Sequence, residues 1–358
     1  MVDLKIKLAI LEHDKNYLTR VVTAFNNRFP DKLQVYSFTK TDDVMYETLR
    51  ESKIDMLISS DFFEIDFSRI PKTCAFAYFV ESTGIEQYNN KPTICKFQKA
   101  DLIYKEILNI FSEVAANISG VSISSEDGTK VISFISAAGG VGCSTVAASY
   151  ALFLAKKGFK PLFLSFEILG NSNAFFKGNG QYNFSDIVYA VKSKKANIVM
   201  KLESCVKQDE SGVFFFDGCS MPLDMMELNN EEITNIIKTL RTTNSYTHII
   251  IDTDFAFDER SMNILGNSSD VVVVADGSAL SNAKFKSFYD TISIMESQKD
   301  LHLLSKLHII YNKFSNKTSQ ELPVENLDII GGIPKYEHAS TEQIMQQVSS
   351  MAVFNNFA

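Results

Sequence analysis

The chain has 358 residues, enough for two domains, and 45% of them are apolar, ample for packed cores. Its formal charge of −8 disfavours sequence-blind binding to DNA or to anionic lipid. Five scattered cysteines (Cys74, Cys95, Cys143, Cys205 and Cys219) form no CxxC pair, so free thiols in a reducing compartment are expected rather than a disulfide framework or a zinc site.

The opening MVDLKIKLAI embeds charges in its apolar run, which is not a signal-peptide pattern. No stretch of 18 apolar residues suggests a transmembrane helix, so a cytoplasmic location is expected. Short apolar runs then alternate with amphipathic stretches. Strands are predicted at KLAIL (7–11), LQVYSF (33–38), DMLIS (55–59), AFAYF (75–79) and TICKF (93–97), and helices at 14–28, 41–52 and 100–116. The polar stretch NISGVSISSEDGT (117–129) reads as a linker, with Val121 to Ile123 as a candidate edge strand. A second block repeats the alternation: VISFI (131–135), PLFLS (161–165), VFFF (213–216), HIIID (248–252), VVVVA (271–275), LHIIY (307–311) and DIIG (328–331). These runs are apolar throughout, as strands buried on both faces should be. The class expected is α/β, with a mostly parallel sheet in each block. Ligands on such sheets sit at the carboxyl ends of the strands.

After VISFI comes SAAGGVGCSTVAASYALFLAKKG, a strand, a glycine loop and a helix start, which is the context of a phosphate-binding loop. Gly139, Gly140 and Gly142 let the backbone around Val141 turn its N–H groups inward, and the helix dipole adds positive potential. Ser144 is placed to offer its hydroxyl to Mg²⁺, and the pair Ser144–Thr145 is expected to cap a helix that Lys156, Lys157 and Gly158 close. Without a ligand the same residues make a tight strand-to-helix turn. Asp252, after three isoleucines in THIIIDTD, is placed to hold Mg²⁺ through water; its bland reading is a solvated strand end. Cys143 at a helix N-terminus could carry a lowered pKa, but it is read as a tolerated small residue.

GGVGCST resembles the deviant Walker A loop of the MinD/ParA family, which usually reads KGGVGKTT. Ala138 then replaces the family's signature lysine, and Cys143 replaces the ordinary P-loop lysine. The resemblance implies ATP and Mg²⁺ as cofactors, with Gly139, Gly140, Val141, Gly142, Cys143, Ser144 and Thr145 around the phosphates and Ser144 and Asp252 on the metal. One lost charge-assisted contact weakens binding by roughly 1.5–3 kcal/mol, or about one to two decades. Turnover should suffer more, because lysine stabilises charge in the transition state. Binding with slow hydrolysis is expected. In LSFEILGNSN, Ser165 and Glu167 take the places of the family's D-x-D, which makes Glu167 the catalytic candidate. Asp254 sits where relatives often carry Pro. LHIIYNKF resembles the strand whose Asn meets the adenine edge, pointing to Asn312 with Lys313 beside it, and GGIPKYE points to Pro334 against the base. This order favours ATP over GTP. Lys313, Lys335 and Lys177 are candidates to replace the missing cations.

Residues 4–116 resemble a response-regulator receiver, a five-fold βα unit. Glu12 and His13 replace its acidic pair, with Asp14 just beyond; Ser60 falls on the phosphoacceptor position with Asp61 one residue late; Lys96 fits the Lys position, but Phe97 replaces the usual Pro. The phosphorylation switch reads as broken, leaving protein docking as its use; the alternative is a receiver with an unusual acceptor, which acid-labile phosphate on Asp61 would reveal. The domains expected are an atypical receiver at 1–116, a linker at 117–129 and a MinD/ParA-like P-loop ATPase at 130–358. Together they resemble the TadZ/CpaE family of tight-adherence pilus assembly. That resemblance implies a cytoplasmic homodimer bridged by ATP, a weak ATPase at most, placed at a cell pole and recruiting pilus-assembly proteins through its receiver-like domain, with no nucleic acid and no direct membrane insertion. Two alternatives stay open. One is a ParA-type partitioning ATPase that binds DNA; the acidic balance and the tail STEQIMQQVSSMAVFNNFA, without Lys or Arg, argue against it. That tail also lacks the basic amphipathic face by which MinD holds membranes. The other is a scaffold that binds no nucleotide.

Overall fold

The structure is a computed structural model, and it describes residues 5–115, 128–194, 197–298 and 302–357. Most of the linker read at 117–129, and the edge strand considered at Val121 to Ile123, lie outside these residues. The chain divides into two compact units, Met1–Ile123 with Tyr189–Cys205, and Ser124–Val188 with Val206–Ala358. Among the described residues, no helix is long and apolar enough to cross a membrane.

In the first unit, β1 (Ile6–Leu11), α1 (Lys15–Arg28), β2 (Leu33–Phe38), α2 (Asp43–Glu51), β3 (Met56–Ser60), β4 (Ala75–Val80), β5 (Gln87–Tyr88), β6 (Lys91–Cys95) and α3 (Ala100–Val114) follow in order. The sheet runs β2-β1-β3-β4-β6-β5, parallel except for the short edge strand β5. Alternate strand residues feed two cores, as a period of two requires. Leu8, Ile10, Met56, Ile58 and Phe79 pack with α1 and α3, whereas Leu11, Leu57, Phe76 and Tyr78 pack with α2. Three α-helices stand in the described part of this block, where a five-fold βα unit has five. A single 3₁₀ turn (Phe67–Arg69) lies between β3 and β4, and the β5 hairpin replaces the helix before β6. Helix α1 starts where the Asp14 carboxylate accepts from Asn16 and Tyr17 N–H groups.

Residues 189–205 follow the glycine loop in sequence yet belong to the first unit. They hold the end of α5 (Phe184–Ser193) and α6 (Ile198–Cys205). Met200 joins the core beneath α3, Tyr104 donates its hydroxyl to Glu203, and the Lys201 ammonium donates to Asn109.

In the second unit, β7 (Lys130–Ile135), α4 (Cys143–Lys156) and β8 (Pro161–Ser165) precede the excursion. After it come β9 (Lys207–Gln208), β10 (Phe214–Phe215), α7 (Pro222–Glu227), α8 (Asn230–Thr242), β11 (His248–Asp252), α9 (Glu259–Gly266), β12 (Asp270–Ala275), α10 (Ala279–Gln298), β13 (Leu307–Phe314), β14 (Asp328–Pro334) and α11 (Thr341–Val348). The strand order is β14-β13-β12-β7-β11-β8-β10-β9, parallel but for β9, which forms an unforeseen antiparallel edge. Every residue of α4 from Val146 to Leu154 is buried, as a helix apolar on all sides must be. The glycine-loop strand β7 is thus central, with α4 fixed in the core behind the loop.

Candidate nucleotide site

The loop between β7 and α4 folds as its glycines allow. Gly140 and Gly142 have φ of 77° and 88°, a region that residues with a Cβ rarely enter. The helix start differs from the expectation: Gly142 is the N-cap, in the left-handed conformation and with no side-chain cap, so Ser144 and Thr145 lie inside the first turn. This frees Ser144 for other work, and its hydroxyl donates to Glu167 Oε1 over 3.3 Å. The other end matches the reading: Lys157 is the C-cap and Gly158 follows with φ of 85°.

Two carboxylates meet this first turn. Asp252, at the end of β11, is 1% exposed, and its Oδ1 has no hydrogen-bond partner. Burial pushes its pKa well above the usual carboxylate range, Glu167 and Asp254 add to the push, and the Ser144 hydroxyl offsets part of it. Glu167, half-buried just beyond β8, is raised by burial first and by Asp254 second. Burial also drives the Cys143 thiol up, with Asp252, Glu167 and Asp254 behind it. At Cys143, burial first and the acids second thus oppose the helix dipole.

Asn312 and Lys313, expected beside the base, engage the loop itself. The Asn312 amide nitrogen donates to the Val141 carbonyl and the Lys313 ammonium to the Gly140 carbonyl, each over 2.7 Å. Of the three cations considered as substitutes, Lys313 reaches the loop. Lys335 pairs with Glu337 at 3.5 Å, and the backbone N–H of Lys177 bonds Asp209. Pro334 ends the edge strand β14 opposite Phe314 and is exposed. Gly139 is exposed at the loop tip, and Val141 is buried beneath it. The structure thus gathers Gly140, Val141, Gly142, Cys143, Ser144, Glu167, Asp252, Asn312 and Lys313, while Pro334 stands on the outermost strand. Sequence reasoning missed Arg260, whose guanidinium donates to the Phe166 and Met225 carbonyls and ties the Glu167 loop to α7; no motif marks it.

At the receiver-like sheet, β1, β3 and β6 bring Glu12, His13, Ser60 and Lys96 together. Glu12 Oε1 lies 2.8 Å from His13 Nδ1 and Glu12 Oε2 lies 2.9 Å from the Lys96 ammonium. Ser60 Oγ, fully buried, is 3.5 Å from both His13 Nδ1 and Lys96 Nζ. Asp61 is exposed beyond the strand end.

Two family models match the chain. A model described as "TadZ-like, receiver domain" matches residues 4–112, and one described as "AAA domain" matches residues 129–306. This is the TadZ/CpaE domain architecture. Among curated proteins, none matches this chain. Solved structures similar to the chain include a ParA family ATPase from Chlorobium tepidum TLS, at 17% identity, 63% of this chain, 92% of that chain and a TM-score of 0.48. The MinC:MinD cell division complex of Aquifex aeolicus gives 16%, 63%, 93% and 0.49. The septum site-determining protein MinD with Mg-ADP from Pyrococcus horikoshii OT3 gives 16%, 62%, 94% and 0.46.

Proposed function

We propose that the second unit binds ATP with Mg²⁺ at the loop 139–145, and that ATP bridges two copies of the chain into a homodimer that scaffolds tight-adherence pilus assembly. The observation that carries this reading is the buried, unpartnered Oδ1 of Asp252 beside Ser144 at a glycine loop. A carboxylate oxygen so placed is costly unless a cation or a proton meets it. Among the described residues no group of three or more His, Cys, Asp or Glu could hold a metal ion by itself. Such a donor set suits Mg²⁺, which commonly takes one or two protein oxygens and completes its shell with phosphate and water. Ser144 and Asp252 would hold the ion, and the ion would neutralise phosphate charge that neither Ala138 nor Cys143 can meet.

The chain's own residues do the rest. Gly140 and Gly142 present main-chain N–H groups, Ser144 bridges loop and acids, and Glu167 stands where it can orient a water. Hydrolysis is weak, because no lysine at 138 or 143 stabilises developing charge. The receiver-like unit, with Ser60 at the acceptor position, docks pilus-assembly partners without a phosphorylation switch, and the dimer resides at the cell pole. Calorimetry with ATP·Mg²⁺ tests the binding, and light scattering with and without ATP·Mg²⁺ tests the dimer. A flat titration would end this reading. It would favour a scaffold without nucleotide, which the three clustered acids Glu167, Asp252 and Asp254 also support, since they repel a polyphosphate that arrives without its metal.

A further inference from the structure

Two side chains of β13 hold the phosphate-loop backbone from its carbonyl side. Asn312 takes the Val141 carbonyl and Lys313 takes the Gly140 carbonyl. Both sit where β13 slips register against β14, between Tyr311 and Phe314. Such irregularities re-aim side chains and recur next to active sites. Lys313 has φ of 56°, in the left-handed region. A long side chain adopts that conformation rarely, and it persists where surroundings over-determine it, typically at functional sites. The loop is shaped to receive the contact: a Cβ on Gly142 would lie 2.5 Å from Asn312 Nδ2 and 3.6 Å from Lys313 Cε. Glycine at 142 is thus required for the approach of β13 as well as for its φ.

Each peptide unit is planar and trans, so its C=O and N–H point in opposite directions. Tying the Gly140 carbonyl outward turns the Val141 N–H inward, and tying the Val141 carbonyl does the same for the Gly142 N–H. We propose that Lys313 is a positioning residue for the phosphate loop. Acting through the Gly140 carbonyl, with Asn312 on Val141, it presets the loop amides for an anion in the empty protein. This organising role compensates for the cations absent at Ala138 and Cys143. The proposal rests on the reading of 139–145 as a nucleotide loop. It differs from a phosphate-contacting lysine in that the ammonium lies on a loop carbonyl.

The test compares wild type, Lys313→Met and Lys313→Arg. Lys313 is exposed, so both variants should fold. In nucleotide-free protein, ¹⁵N relaxation should place the Val141 and Gly142 amides near the rigid-backbone order parameter of about 0.85, falling below about 0.6 in Lys313→Met. Calorimetry should show ATP·Mg²⁺ binding weakened about tenfold or more in the same variant. Lys313→Arg, which can still donate to a carbonyl, should keep both properties. Unchanged order parameters in Lys313→Met overturn the proposal, and so does lost order with unchanged affinity. If wild type itself binds no ATP, the nucleotide reading fails, and the order parameters alone still decide whether Lys313 fixes the loop.

Discussion

The Lys96 ammonium lies 2.9 Å from Glu12 Oε2, and the two side chains are 5% and 0% exposed. The contact is an ion pair by proximity, since Glu12 Oε2 has no aligned hydrogen-bond donor. The cation at the lysine position of the receiver-like block is thus met by a carboxylate of the same sheet.

Removing one partner of a buried pair leaves the other charge uncompensated, which costs about 3–5 kcal/mol. Lys96→Met should lower stability by that amount in urea unfolding. Adding Glu12→Gln to Lys96→Met should restore most of the loss, because both charges are then gone. Equal unfolding midpoints for wild type and Lys96→Met would show that the pair contributes nothing.

Asp252 is a source of instability at the proposed nucleotide site. Its folded pKa is raised by burial and by Glu167 and Asp254. The sign follows: its contribution is complete below the ordinary carboxylate range and is lost as pH rises through the raised value. Asp252→Asn should therefore stabilise the empty protein at neutral pH, with Tm rising roughly 2–4 °C for each kcal/mol recovered. The gain should vanish below about pH 3, under the ordinary carboxylate range. The same variant should lose ATP·Mg²⁺ binding. A Tm that falls at neutral pH would refute the charge argument.

Cys143 stands among the same acids. Cys143→Lys places a cation where loop, Asp252 and Glu167 converge. ATP·Mg²⁺ binding measured by calorimetry should tighten by about one to two decades, the value of one charge-assisted contact. A weaker binder would mean that the inserted ammonium is captured by Asp252 and Glu167 and withheld from phosphate.

His248 opens β11 buried, beside Thr247 and edge-on to Phe159. Burial, and then the Lys130 charge, depress its pKa from 6.5 to about 4. The unfolded chain therefore takes up a proton that the folded chain refuses. Stability is intact above 6.5 and is lost as pH falls toward 4, by up to about 3 kcal/mol. His248→Gln should flatten that part of the urea-midpoint profile relative to wild type. Parallel profiles would assign the acid sensitivity to other groups.

The strands were legible because each is a short apolar run. KLAIL, DMLIS, HIIID and VVVVA all became buried parallel strands within a residue or two of their predicted ends. The edge pieces β5 and β9 were not, since two residues carry no period. The glycine loop was legible because positive φ leaves a mark in residue type. Its helix is capped at Gly142 and not at Ser144–Thr145, since a glycine can cap as well as a hydroxyl where the chain must turn left-handed.

What the sequence determined by itself was local: strand runs, a glycine loop before a helix, two vacated lysine positions, and a receiver-like block with Ser60 at the acceptor position. What only the tertiary structure decided were the meetings of residues far apart in the chain. Asn312 and Lys313 lie more than 170 positions from the loop carbonyls they hold. Residues 189–205 leave the second unit to build the first. Local propensity is set by neighbours a turn or a strand away, whereas a hydrogen bond to Gly140 or a charge beside Asp252 depends on which strands pack side by side. That pairing is a property of the closed sheet and of no single segment.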